Sequence, residues 1–109
     1  MVQTLAKDGA VIKEELTVKD VHMLHMVVGL CGEAGELIDA VKKGAIYRKP
    51  YDIENIIEEL GDLEFYMEGI RQALNITRET TLECNIAKLG KRYKGMKYSD
   101  KSAQVRADK

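Results

Sequence analysis

Tryptophan is absent from the 109 residues, phenylalanine and proline occur once each, and the aromatics total six. β-Sandwiches and barrels are built on aromatic and β-branched strands joined by turn residues, so this poverty argues against both. No apolar run approaches the roughly 18 residues that would signal a membrane-crossing helix. The N-terminus has no apolar core of the signal-peptide kind, so the expectation is a cytoplasmic protein with no membrane partner. The two cysteines, Cys31 and Cys84, lie far apart and lack metal-ligand spacing. They read as reduced thiols packed as small apolar residues. Excess charge is missing too: the formal net charge is −1. That excludes a general nucleic-acid binder.

What is present is an ordinary globular composition, 45% hydrophobic and 32% charged, in a length that suits one domain over 1–109. Its near-neutrality hides an asymmetry. Residues 1–87 carry 9 basic and 16 acidic side chains, while residues 88–109 carry 8 basic and 2 acidic, so −7 stands against +6. Residues 1–16 read as an N-terminal extension, 17–93 as a helical core and 94–109 as a basic tail.

The extension is weakly amphipathic, with Gly9 as a break between short helical turns. Thr17, with Asp20 three residues on, marks the start of a long helix. From Val18 to Lys43 apolar residues run in two adjoining stripes, Val21, Leu24, Val28, Cys31, Ile38 and Met23, Val27, Leu30, Ala34, Leu37, Val41. So broad a face belongs to a helix buried among several partners. Lys42 and Lys43 suit its C-terminal dipole, and Gly44 is its expected stop. After a connector over 44–51, Asp52 caps a second helix reaching about Leu74, and Asn75 suits a left-handed terminator. Thr77 caps a third helix to about Tyr93, with Leu82, Ile86 and Leu89 facing inward and Gly95 beyond its end. A short last helix is expected over 100–107. No segment alternates with period two. The fold class is all-α, a bundle of two long helices and a third. Three such helices leave apolar faces uncovered, so a homodimer or dimer of dimers is expected to complete the bundle.

Two acidic pairs carry the chemistry. GEAGE holds Glu33 and Glu36, and EELGD holds Glu59 and Asp62 after Glu58. Residues three apart share a helix face, so each long helix offers two carboxylates from one edge, and an antiparallel pairing would gather all four. Gly29, Gly32, Gly35 and Gly61 crowd these acids. Glycine inside a helix costs about 0.5–1 kcal/mol relative to alanine, and close helix approach or room for a ligand would compensate. Clustered carboxylates on apolar helices call for a cation. All-oxygen donors select Mg²⁺, with Mn²⁺ as substitute, over Zn²⁺ or Cu²⁺. A di-iron bundle would need Glu-x-x-His on two helices, and neither His22 nor His25 completes one. His25 does fall on the face of Glu33 and Glu36, as a candidate neighbour of the ligands. Mg²⁺ held by few carboxylates completes its shell with water and substrate phosphates, which points to a phosphorylated substrate.

A basic stripe supplies the counterpart. Asn85, Lys88 and Arg92 share a face of the third helix, and Lys43 lies two turns after Glu36 on the acidic side of its own helix. Lysine as a point charge and arginine as a fork both suit phosphate.

The segments GLCGEAGELIDAVKK and NIIEELGDLEFYMEGIRQAL resemble the MazG-type nucleoside triphosphate pyrophosphohydrolases. These belong to an all-α group that also holds dimeric dUTPases and phosphoribosyl-ATP pyrophosphohydrolases. NIAKLGKRYKGMKYSD is similar to the C-terminal part of small single-domain members. The resemblance implies Mg²⁺-dependent hydrolysis of a (deoxy)nucleoside triphosphate to monophosphate and pyrophosphate, in nucleotide-pool house-cleaning. It implies Glu33, Glu36, Glu59 and Asp62 as metal ligands and Lys88 and Arg92 as phosphate or nucleotide contacts; Lys43 and Asn85 stand as substrate-binding candidates on their spacing alone. Several members carry an extra Glu where this chain has Gly32. That departure makes Glu58, beside Glu36, the candidate catalytic carboxylate. Narrower activity on dUTP, dCTP or a phosphoribosyl nucleotide is the alternative within enzymes. A non-enzymatic helical dimerisation module is the alternative outside them, and it leaves the glycine-flanked acids unexplained.

Overall fold

Side chains set the helix starts. The computed structural model describes residues 1–93, and in it α1 (Val2–Leu5) and α2 (Gly9–Glu15) precede α3 (Val18–Ala45), α4 (Ile53–Ala73) and α5 (Arg78–Arg92). The described residues contain no strand. Asp8 caps α2, accepting from the Ala10 amide at 2.8 Å. Gly9 is therefore the first residue of a helix and not a break, because the carboxylate before it satisfies a free amide.

Thr17 and Asp20 form a reciprocal capping box at α3. The Asp20 amide donates to Thr17 Oγ1 at 3.1 Å and the Thr17 amide donates to Asp20 Oδ2 at 2.9 Å. The Thr17 amide, followed by its hydroxyl, holds the Asp20 carboxyl below its usual range. Asp52 and Thr77 cap α4 and α5 through the amides of Asn55 and Thr80. Thr17→Ala removes one half of the box and is expected to cost about 1 kcal/mol. Urea unfolding at fixed protein concentration measures it, and the loss should shrink as acid protonates Asp20 and weakens the box in the parent.

The exits differ from the sequence expectation at one point. Gly44 lies inside α3, which continues to Ala45. A Cβ there would overlap the Tyr51 ring. Its role is close approach, not termination. The chain turns instead through Arg48, at φ 59°. Asn75 adopts the left-handed conformation expected of it, at φ 55°. Gly95 and the helix expected over 100–107 lie outside the described residues.

Residues 1–74 form one unit, and α5 belongs to a second that begins at Asn75. In the first, α3 and α4 pack antiparallel. Tyr66 of α4 meets α3 at Gly29, Met26 of α3 meets α4 at Gly69, and Tyr51, just before α4, meets Gly44. The apolar interior of this pair is small: Met26 and Ala40 are its only buried hydrophobic residues among those described. Arg71 is buried too, with its Nε donating to Glu68 at 2.9 Å and an ion pair to Glu64 at 3.7 Å.

Most of the expected core is uncovered in a single chain. Val28 and Ile38 on α3 and Ile57 and Phe65 on α4 are each more than 60% exposed. α3 is also long and apolar enough to cross a membrane by length and composition, a test that bundle core helices pass as well. On α5 no residue is buried; of the three expected to face inward, Leu82 and Ile86 are exposed and Leu89 is half-buried. Cys31 and Cys84 are exposed rather than packed. For α3 and α4 the cause is that two helices in contact bury one stripe each, and these two are apolar around more than one stripe.

Candidate functional site

The antiparallel pairing gathers the acids. Glu33 is half-buried and Glu59 is buried, while Glu36, Glu58 and Asp62 keep exposed surface. One carboxylate oxygen from each of Glu33, Glu59 and Asp62 lies within 4.8 Å of the others. Glu36 is outside that trio but close enough to act on Glu59 by charge and hydrogen bonding. Glu58 sits one turn before Asp62 on α4. Lys43 is exposed in the last turn of α3. Asn85 and Lys88 are exposed along α5, and Arg92, half-buried, ends it. His22 and His25 are exposed beside a shallow apolar groove of Leu16, Val18 and Val21.

The electrostatics of the cluster are unfavourable to an unpartnered anion. The Glu59 carboxyl is pushed up to about 7, first by its hydrogen bond with Glu33, then by burial, then by the charges of Glu36 and Glu33. Glu33 Oε2 and Glu59 Oε2 are buried and meet no hydrogen-bond donor unless Glu59 is protonated and shares its proton with Glu33. Buried polar atoms are normally satisfied, so two orphaned carboxylate oxygens side by side leave coordination to be supplied.

The residues fit a divalent cation. All donors are hard oxygens, as Mg²⁺, Mn²⁺ and Ca²⁺ prefer. On an octahedral Mg²⁺ neighbouring oxygens stand about 3 Å apart and opposite ones about 4.2 Å, so the trio would draw together to share one ion. No cysteine or histidine joins the group. The donor set therefore does not favour Zn²⁺.

Two of the nearby features escaped the sequence reading. The ring of Tyr66 lies against the bare backbone of Gly29. The signal was present: if Glu33 faces Asp62 across an antiparallel pair, the residues one turn further on, Gly29 and Tyr66, must face each other as well. The four glycines also divide. Only Gly29 is a close-approach site, whereas a Cβ on Gly32, Gly35 or Gly61 would meet nothing within 4 Å.

Fold and site together define a class, that of all-helical proteins with an acidic candidate cation site between two antiparallel helices. Within it, the profile of the MazG nucleotide pyrophosphohydrolase domain matches residues 22–96, and the chain belongs to that family. The match spans α4 and α5 and all but the first turn of α3, and includes every candidate site residue. The chain has no match among curated proteins or among solved structures. Nucleotide pyrophosphohydrolase chemistry is thus assigned at the level of the family.

Proposed function

We propose that the protein hydrolyses (deoxy)nucleoside triphosphates to monophosphate and pyrophosphate with Mg²⁺, clearing or balancing nucleotide pools in the cytoplasm. The observation that carries this reading is the pair of orphaned buried oxygens on Glu33 and Glu59, set beside Asp62 inside the family-matched segment. Glu33, Glu59 and Asp62 would hold the ion, with Glu36 next to them. When bound, Mg²⁺ supplies neutralisation of phosphate oxygens and acidification of water. The chain's own residues do the rest. Glu36 or Glu58 accepts a proton from the water that attacks the α-phosphorus, and the bond to the β-phosphate bridge breaks. Lys43 is the candidate on α3 for binding the polyphosphate and holding the charge of leaving pyrophosphate, and the family resemblance offers Lys88 and Arg92, with Asn85 on their face, for the same task. Support for α5 in this role is its repeat at i, i+3, i+7 on one polar edge.

The test is a panel of NTPs, dNTPs and phosphoribosyl nucleotides with Mg²⁺, resolving pyrophosphate from orthophosphate. Pyrophosphate release is expected. Orthophosphate alone would contradict attack at the α-phosphorus, and turnover of dUTP or dCTP alone would narrow the substrate. A second copy of the chain is the partner that best covers the apolar faces of α3 and α4. Sedimentation should therefore give a dimer or tetramer, and a monomer at micromolar concentration would overturn that assembly.

A further inference from the structure

Tyr66 follows Asp62 by four residues on α4, and Gly29 precedes Glu33 by four on α3, so both lie one turn from the acids on facing helices. A methyl group on Gly29 would overlap Cε1, Cζ and Cδ1 of the Tyr66 ring. One turn further along the pair the sizes are reversed, with Met26 of α3 over Gly69 of α4. At the opposite end Tyr51 covers Gly44. Large-on-small pairs that alternate between helices admit one register. Sliding α4 by three residues one way would drive Tyr66 into Met26; sliding it the other way would bring Tyr66 to Gly32 but take Met26 off Gly69 and Tyr51 off Gly44. The register so fixed is the one that places Glu33 beside Glu59 and Asp62.

We infer that Tyr66 is a positioning residue for the acidic site: its ring, seated on Gly29, sets the α3–α4 register in which the three carboxylates converge. The inference rests on the cluster taking a divalent cation. It assigns the effect to the ring and not to the hydroxyl. Phe65 packs edge-on against that ring, centroids 5.2 Å apart at 80°, which limits its freedom to swing aside. The Met26 thioether is flexible by comparison, so the two glycine contacts should differ in consequence.

Calorimetric titration of the metal-free protein with Mn²⁺ alone, with helix content followed by circular dichroism, tests this. Gly29→Ala should weaken Mn²⁺ binding by about 10–100-fold, the range for groups that orient metal ligands, while helix content is retained. Gly29→Ala combined with Tyr66→Ala removes the overlap but also the ring, so its Mn²⁺ affinity should stay below the parent's, level with that of Tyr66→Ala alone. Tyr66→Phe and Gly69→Ala should bind Mn²⁺ nearly as the parent does. If the parent fails to bind Mn²⁺, the cation reading falls and takes this inference with it. If the parent binds and Gly29→Ala binds equally well, the positioning role alone is overturned. Should Gly29→Ala not fold, Tyr66→Ala decides: helical, with unaltered Mn²⁺ affinity, it sinks the proposal, and with weakened affinity it upholds it.

Discussion

Glu59→Gln should abolish pyrophosphate release and at the same time make the metal-free protein more stable above neutral pH. The activity loss follows from removing a charged donor from the trio, and about a thousandfold or more is expected. The stability gain follows from the cluster's repulsion. The Glu59 carboxyl rises from 4.5 to about 7 in the folded chain because Glu33 and Glu36 face it and burial disfavours its charge. An acid with a raised folded pKa binds its proton more tightly folded than unfolded. The stability this gives is fully present below the ordinary carboxylate range and is lost as pH rises through about 7. Glutamine imitates the protonated form and cannot lose that stability. Melting curves of parent and variant in EDTA should therefore diverge between pH 5 and pH 8, with the variant higher. Asp62→Asn provides the contrast. Its carboxylate is exposed, so it should lose activity to a similar degree without the stability gain. An active Glu59→Gln, or one less stable than the parent at pH 8, would remove Glu59 from the proposed site.

The legible part of the fold was local. Thr17, Asp52 and Thr77 announced helix starts because a cap is a short-range event, and all three act as caps in the structure. Asn75 was legible for the same reason. Gly44 was misread because a glycine near a helix end has two explanations, a left-handed stop or a close approach, and only the partner ring of Tyr51 decides between them. The site was legible as two i, i+3 pairs but not as a weighted cluster. Periodicity gives Glu36 the same standing as Glu33. The packed pair instead buries Glu59, half-buries Glu33 and leaves Glu36 at the edge. The apolar stripes of α3 implied a helix buried among several partners, whereas within the chain most of the two stripes together is exposed. What they could not disclose is how little one chain buries, because coverage depends on neighbours that a single sequence does not contain.

Adding a divalent ion should reverse the pH trend of the metal-free protein. An ion that binds the Glu33–Glu59–Asp62 trio needs Glu59 deprotonated, so it competes with the proton the cluster otherwise retains. Below the Glu59 pKa of about 7, binding releases up to one proton, and affinity for Mn²⁺ should climb by as much as about tenfold per pH unit. Above that pKa the climb should flatten. Stabilisation by the ion thus grows with pH over the range in which the metal-free protein weakens. Calorimetry in two buffers of different ionisation enthalpy counts the released protons directly. Glu36→Gln sharpens the prediction. It removes one of the charges that raise the Glu59 pKa, so the inflection should move to lower pH even if Glu36 itself touches the ion. A Mn²⁺ affinity that is flat from pH 5.5 to pH 8 would mean that the ion binds elsewhere. The orphaned oxygens of Glu33 and Glu59 would then need a different partner, and the neutral, protonated form of Glu59 would be the one that works.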